Sequence, residues 1–556
     1  MADSIRNQLN FLYGSVVGPE TAARVERMLA THRVQKQSAV LSENQVLTQA
    51  DAMLITYGDQ VRGPDQAPLQ TLARFAAQHL SGVVSAVHIL PFYPWTSDDG
   101  FSVKDYSAVD PALGTWDDIE QLGKKFDLMF DAVFNHMSAR SEWFKKFLQG
   151  DPAFRDYFVT VEGNPDLSQV VRPRALPLLT EFQSAAGPKK VWTTFSADQV
   201  DLNFKKPEVL LAALEILLFY AARGARYIRL DAIAFLWKEI GTRCLHLPQT
   251  HRVIQLMRAV LDEAAPQVVL ITETNVPHTD NISYFGDGTN EAQLVYNFAL
   301  PPLVLHSLAT GSAEKLTRWA ESLQLPSDRV TFFNFLASHD GIGLNPARGI
   351  LSQEEIDALV ARTLAHGGFV SYKHNPDGSR SPYEMNINYL DALSAPASGE
   401  TAETAVHKLL TAHAIMFSLQ GVPGIYFHSL FGSRGDRKGA ETSNIPRRIN
   451  REKLDHARLE SELADASSLR ARVFGGLREL LARRRAHPAF APSSPQRVLE
   501  LGSKVFAVLR ESPDGADRML CLHNVTSQPV QVSLEVDGVD ACLLAPFETK
   551  WMPVKR

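Results

Sequence analysis

Cysteine is scarce. Cys244, Cys521 and Cys542 are the only three in 556 residues, an odd number with no metal-ligand spacing. A disulfide framework is therefore not expected, and reduced thiols in a cytoplasmic setting are. No apolar run is long enough to span a bilayer. The longest, Leu210 to Ala222, is interrupted by Glu215 and suits a helix buried against a sheet. Met1 to Asn10 are polar and mixed in charge, without the apolar centre of a signal peptide. Neither sign of charge dominates: 56 Lys and Arg against 62 Asp and Glu give a net charge of −6. That balance argues against a nucleic acid or a membrane as partner. Basic residues cluster only locally, at Arg172 to Arg174 and from Arg434 to Arg451. Internal repeats and low-complexity tracts are also missing.

What is present is ordinary globular material, 45% hydrophobic, in a chain long enough for two or three domains. From about residue 50, short β-rich runs alternate with amphipathic helical stretches, the pattern of β/α units on a parallel sheet. The strand candidates are Ala52–Tyr57, Ala86–Phe92, Leu128–Phe134, Tyr227–Asp231, Val268–Glu273, Leu294–Phe298, Val330–Leu336 and Gly424–Phe427. Several are apolar at consecutive positions, as strands buried on both faces are. Leu69, Leu72, Ala73, Ala76 and Leu80 mark one face of a helix between the first two. The expected class is α/β, a (β/α)8 TIM barrel over residues 46–490 with inserted loop domains. Pro and Gly become frequent at about 137–204, and a turn-rich stretch, His374-Asn375-Pro376-Asp377-Gly378, lies within a second insertion at about 341–397. Residues 1–45 read as a helical extension. Residues 491–556 read as an antiparallel β domain with strands at Val498–Leu501, Lys504–Arg510, Met519–Val525, Val530–Val536 and Ala541–Val554.

Four segments end predicted barrel strands in polar residues: Asp131 to His136, Arg229 to Phe235, Thr272 to Asn275 and Ser338 to Asp340. An acidic residue after a β run is commonplace taken singly. Asp231, Glu273 and Asp340 follow the fourth, fifth and seventh strands, however, and barrel geometry brings those ends to one rim. Like charges crowded at one place call for function. Glycosyl transfer with retention needs two carboxyl groups close together, a nucleophile and an acid that later acts as base. Arg229, two residues before Asp231 on the same strand face, is placed to keep that carboxylate ionised. Crowding and partial burial would keep Glu273 protonated. His136 and His339, each beside a motif residue, suit hydrogen bonds to sugar hydroxyls.

In order and strand context these segments resemble the four signature regions of the α-amylase clan, glycoside hydrolase family 13. The resemblance narrows to the sucrose phosphorylase group through His88-Ile-Leu-Pro-Phe-Tyr93, Asp98-Asp-Gly-Phe101, Arg172-Pro-Arg174, Tyr227 to Ala232, Phe298 to Leu303, His339 to Gly343 and Arg447-Arg-Ile-Asn450. It covers roughly residues 50–490. It implies Asp231 as nucleophile, Glu273 as general acid/base and Asp340 as transition-state stabiliser. Asp98, His136, Gln199, Arg229, His339 and Arg447 are implied to bind the transferred glucose, and Phe101 to stack against it. Arg174 is implied to bind phosphate or the leaving sugar. No cofactor and no metal are implied.

The chain departs from the pattern of the best-known members. It carries the N-terminal extension, Asn275 where a histidine follows the acid, and Phe235 in place of a tyrosine. Its acceptor loop, Ser371 to Tyr383, and the segment Cys244-Leu-His-Leu-Pro-Gln-Thr-His251 look more like the subgroup acting on sucrose 6'-phosphate or glucosylglycerate. Arg380, with Lys373 and His374 nearby in sequence, and Tyr383 are candidate acceptor residues; a plain surface charge is the competing reading for Arg380. The leading expectation is a retaining phosphorylase that converts sucrose and phosphate to α-D-glucose 1-phosphate and D-fructose, with transglucosylation as a side activity. Phosphorylases of sucrose 6'-phosphate or glucosylglycerate are the alternatives. A hydrolase or transglucosidase of the clan comes next, and a non-catalytic amylase-like binding subunit last. The expected partners are small molecules, an α-glucoside and inorganic phosphate, acting on a monomer or homodimer.

Overall fold

The computed structural model describes residues 2–36, 47–174, 176–375, 378–536 and 539–555. Eight parallel strands close into a barrel. They are β1 (Met53–Thr56), β2 (Ala86–Ile89), β3 (Asp127–Ala132), β4 (Ala225–Leu230), β5 (Val269–Thr272), β6 (Leu294–Tyr296), β7 (Thr331–Phe335) and β8 (Val422–Tyr426). Closure comes from β8 against β1, with Leu54 beside Ile425. Nearly every residue in these strands is buried, because helices cover the outside and side chains fill the inside. Each expected run supplies one strand. The ladders stop one or more residues short of the polar ends, so Asp231 and Glu273 fall just past the last paired residue.

Helices Pro68–His79 and Pro207–Ala222 illustrate the outer layer. Each opens with proline in its first turn, where the missing N–H costs no hydrogen bond. The second is the apolar run read from the sequence, and it buries most of its length.

The two insertions lie after β3 and β7. In the first, His136–Ser138 pairs with Gln199–Asp201, and Thr160–Val161, Gly187–Trp192 and Leu179–Ser184 form a three-stranded sheet. Its small core joins Val161, Val170, Leu178 and Trp192 to Cys244 from beyond β4. In the second, Ile342–Gly343, Arg380–Asn386 and Phe369–His374 form an antiparallel sheet beside the helix Gln353–Ala365. Pro376 and Asp377 of its turn lie outside the described residues.

At the C-terminus, Gln496–Val498, Val505–Glu511, Arg518–Asn524 and Thr549–Pro553 form one antiparallel sheet, and Val530–Val536 pairs with Val539–Leu544. Two expectations differ in detail. The run Ala541–Val554 is two strands, divided where Phe547 adopts a left-handed φ of 52°. The first strand ends at Val498 instead of beginning there.

The N-terminal extension is a helix, Ala2–Lys36, kinked at Gly14, where φ is 78°. It packs on the helix Pro248–Ala264, whose Arg252 bonds Gln8 at 3.1 Å and lies 4.7 Å over the Phe11 ring. Residues 37–46 of the extension lie outside the described residues. Among the described residues no helix is long and apolar enough to cross a membrane. The three cysteines are buried and form no disulfide.

Candidate active site

A pocket opens at the carboxyl ends of the barrel strands. The expected catalytic and substrate-binding residues all line it except Arg229 and Arg380; Lys373, named beside Arg380, is not in the lining either. Arg229 lies beneath its floor, buried on β4. Arg380 is displaced altogether: it begins the strand Arg380–Asn386, exposed and paired across the hairpin to His374. Arg380 stands at the turn end of the hairpin, whereas Tyr383 is brought in by a β-bulge. Tyr372 pairs with Pro382 and Ser371 with Glu384, so Tyr383 stands opposite no partner and lines the pocket instead.

The floor is built around Arg229. Its Nη1 bonds Asp231 Oδ1 at 2.8 Å and also Asp131 Oδ1, while its Nη2 lies 3.8 Å from Glu273 Oε2. Asp131 is fixed from its other side by His88 Nε2 at 2.7 Å. The barrel register sets this arrangement, because Arg229 lies directly beside Asp131 of β3. Ala232 N–H donates to Glu273 Oε2 at 2.9 Å, and it does so from a left-handed backbone with φ of 47°. Burial, opposed by Arg229, pushes the Asp231 carboxyl up to about 8 and raises Glu273 as well. The floor thus holds two buried carboxyl groups on one guanidinium, an arrangement that retains a proton between them near neutral pH.

Opposite stands a rim of paired charges. Arg447 bridges Asp340 at 2.7 Å and Glu384 in a two-point contact at 2.9 and 2.6 Å. Arg451 bonds Asp99 at 2.8 Å and reaches Asp340 at 3.4 Å. Arg448 holds Asp99 at 2.7 Å, and Arg174 holds Asp98 at 2.9 Å. These cations outweigh the burial penalty on Asp340 and Asp98, so both carboxyls sit far below the usual carboxylate range. Asp98 and Asp99 have φ of 54° and 47°, followed by Gly100 at 115°. A side chain at Gly100 would come within 2.8 Å of the Pro91 carbonyl oxygen. Two successive non-glycine residues at positive φ are costly and mark a backbone shaped for a site.

The remaining walls are uncharged. His136 and His339 are kept neutral by burial, which pushes them down to about 4 and about 3. His136 Nε2 lies 2.9 Å from the Phe101 carbonyl oxygen. Phe101, expected to face a sugar, lies parallel to His339 with ring centroids 4.7 Å apart. Phe235 and Phe195 pack edge to face, and Arg174 lies 5.5 Å over the Phe195 ring. Asn275 rests on Gly343, and its Oδ1 is buried without a hydrogen-bond partner among the described residues. An acceptor left bare inside a pocket calls for a ligand donor. No group of three or more metal-ligating side chains is placed to hold a metal ion among the described residues.

Sequence reasoning missed Phe195, Glu384, the contact of His88 with Asp131 and the pairing of Asp99 with Arg448 and Arg451. Asp131 was within reach, since the register of β3 against β4 puts it next to Arg229. Glu384 meets Arg447 across 63 residues, and Asp99 meets Arg448 and Arg451 across 349 and 352; no spacing signals these contacts.

Residues 80–342 match the family described as "Alpha amylase, catalytic domain". The chain is 53% identical over 557 aligned residues to a glucosylglycerate phosphorylase of Allomeiothermus silvanus, covering 99% of this chain and 98% of that protein. It is 31% identical to a sucrose phosphorylase of Agrobacterium vitis, over 82% of this chain and 91% of that one. Among solved structures, sucrose 6F-phosphate phosphorylase from Thermoanaerobacter thermosaccharolyticum superposes with a TM-score of 0.76 at 24% identity, covering 91% of this chain and all of the other.

Proposed function

Because the chain belongs to the α-amylase family, glycoside hydrolase family 13, within its glycoside phosphorylases, we propose that it is a glucosylglycerate phosphorylase. Glucosylglycerate and phosphate are converted to α-glucose 1-phosphate and glycerate. The observation that carries this choice is the end-to-end likeness, 53% against 31%, to a glucosylglycerate rather than a sucrose phosphorylase. Fructose, the leaving group put first from the sequence, gives way to glycerate. The departures at Asn275 and Phe235, and Tyr383 at the end of the Ser371–Tyr383 loop, support the same choice, since these three residues line the pocket.

The floor supplies the chemistry. An oxygen of Asp231 attacks the anomeric carbon as the bond to glycerate breaks, and Glu273 gives its proton to the departing oxygen. A glucosyl ester on Asp231 and free glycerate result. Phosphate then attacks the same carbon from the vacated side, Glu273 takes its proton, and the ester bond breaks. Two inversions give net retention. Arg229 decides which carboxyl holds the proton: 2.8 Å from Asp231 and 3.8 Å from Glu273, it favours charge on the first and leaves the proton on the second. Asp340, ionised by Arg447, faces the positive charge that develops on the sugar ring. Asp98, Gln199, His136, His339 and Phe101 surround the glucose. Arg174 has donors beyond its bond to Asp98 with which to receive phosphate.

Glucose 1-phosphate release from glucosylglycerate, sucrose and sucrose 6'-phosphate, each with and without phosphate, tests this. The reading requires phosphate-dependent release with kcat/KM on glucosylglycerate at least about tenfold above the other two. Faster turnover of sucrose would return fructose to first place, and phosphate-independent glucose release would make the protein a hydrolase.

A further inference from the structure

Three cations on segments that neighbour pocket-lining residues lack the carboxylate partners that the arginines of the site have. Lys373 lies opposite Ser381 in the hairpin whose bulge delivers Tyr383 to the pocket, and its Nζ donates to the amide oxygen of Asn345 at 3.1 Å. Arg348 clasps the same hairpin through Nη2 to the Pro382 carbonyl oxygen at 3.2 Å, while its Nε is buried without a hydrogen-bond partner among the described residues. Arg243 comes from the loop beyond β4. Its backbone carbonyl accepts from Val171 N–H at 3.0 Å, two residues before the pocket-lining Pro173. His246 N–H of the same loop bonds Ala234 of the pocket wall at 3.1 Å. The neighbouring Cys244 is locked into the small core of the first insertion. Among the described residues none of the three forms an ion pair with Asp or Glu. They are also close enough to act on one another: after burial, the charges of Arg348 and Arg243 hold the Lys373 ammonium below its ordinary range.

Like charges assembled without counterions repel, and an incoming anion relieves that cost while gaining charge-assisted hydrogen bonds. The cluster is linked to the side on which Glu273 would protonate a leaving group. The loop carrying Arg348 continues from Gly343, which touches Asn275, two residues past Glu273. A group whose oxygen is protonated by Glu273 therefore extends toward Asn275, Tyr383 and the three cations. Resting on the assignment of glycerate as leaving group, we propose that Arg243, Arg348 and Lys373 form the subsite for its carboxylate. Lys373 takes the role first assigned to Arg380, from the strand across the hairpin.

The test compares glucosylglycerate with glucosylglycerol, which differ only by a carboxylate against a hydroxymethyl group. kcat/KM for both and KM for phosphate are measured for the wild type, Lys373→Ala, Lys373→Arg and Arg348→Met. The ratio of kcat/KM, glucosylglycerate over glucosylglycerol, is expected to fall roughly ten- to a hundredfold in Lys373→Ala and Arg348→Met, the usual range for a charged hydrogen bond. Lys373→Arg should restore part of it. Equal losses on both donors would make the residues structural, and an unchanged ratio would remove them from the acceptor site. A rise in phosphate KM of the same size with both donors would assign the cations to phosphate. The glycerate reading can fail separately. With glucose 1-phosphate as donor, the wild type is offered glycerate against glycerol and fructose 6-phosphate against fructose. Preference for fructose 6-phosphate that Lys373→Ala abolishes would retire glycerate and keep the anion subsite; no preference for either anion would overturn the subsite itself.

Discussion

The floor of the pocket and its acceptor lip handle charge in opposite ways. On the floor and on the rim proposed to bind glucose, Arg229, Arg447, Arg451 and Arg174 each meet at least one carboxylate. At the lip, Arg243, Arg348 and Lys373 meet none among the described residues. The first arrangement suits a neutral sugar, which needs oriented donors and acceptors and one ionised nucleophile. The second suits an anion supplied by the substrate. Pairing inside the protein fixes geometry in advance, whereas cations left unpaired create affinity for something that arrives. Donor recognition and acceptor recognition can therefore be broken independently.

The largest effect is expected where the floor itself is broken. Asp231→Asn keeps the shape and removes the nucleophile, so turnover should fall at least about a thousandfold on every donor alike. Mass spectrometry should find no glucosyl adduct with α-glucosyl fluoride. Retention of more than about a tenth of wild-type activity would show that Asp231 is not the nucleophile. Glu273→Gln should separate donors by leaving group: the loss on glucosylglycerate should exceed that on α-glucosyl fluoride by about a hundredfold, because fluoride leaves without protonation. Equal losses would remove Glu273 as the acid.

How much of this was legible follows the same division. The floor could be read because barrel strands repeat: a polar residue after an apolar run lands on the rim, and Arg229 at two residues' distance shares the face of Asp231. The lip could not. Its residues lie on insertions whose contacts depend on tertiary packing: Arg380 and Lys373 are both in view, but nothing in the sequence marks their pairing across the hairpin or the bulge that turns Tyr383 into the pocket. A shift of one residue exchanges the faces of a strand, and the bulge at Tyr383 makes such a shift. The rim pairs Asp99–Arg448 and Asp99–Arg451 join residues 349 and 352 positions apart, beyond any periodicity.

A smaller effect sharpens the contrast. Glu384 is buried and holds Arg447 by two hydrogen bonds, and Arg447 in turn holds Asp340. Glu384→Gln should loosen that guanidinium and lower kcat/KM about tenfold. Because the disturbance reaches the glucose side, glucosylglycerate and glucosylglycerol should lose equally, unlike with Lys373→Ala. A loss confined to glucosylglycerate would place Glu384 at the acceptor lip and blur the division.

The smallest effect is one of stability, and its sign distinguishes floor from lip. Asp231 is raised from its ordinary 3.8 to about 8, chiefly by burial, and Glu273 is raised with it. A carboxyl raised in the folded state binds protons that the unfolded chain has lost, so its contribution to stability is full below the unfolded value and declines as pH rises toward about 8. The two carboxyls share one proton, so the decline belongs to the pair as its second member ionises. An amide at position 231 leaves Glu273 alone on Arg229 and escapes that decline, although it gives up the bond to Arg229, whose other partner, Asp131, remains. Asp231→Asn should therefore melt above the wild type by roughly 2–4 °C near pH 8, with the difference shrinking toward pH 5. Lys373→Ala relieves repulsion of another kind, between partly exposed like charges, and its gain should shrink with added salt. Melting curves at pH 5, 6.5 and 8, at low and high salt, check both. A lower melting temperature for Asp231→Asn at pH 8 would mean that its bond to Arg229 outweighs the cost of burial, and that the floor, like the rim, is held together by its charges.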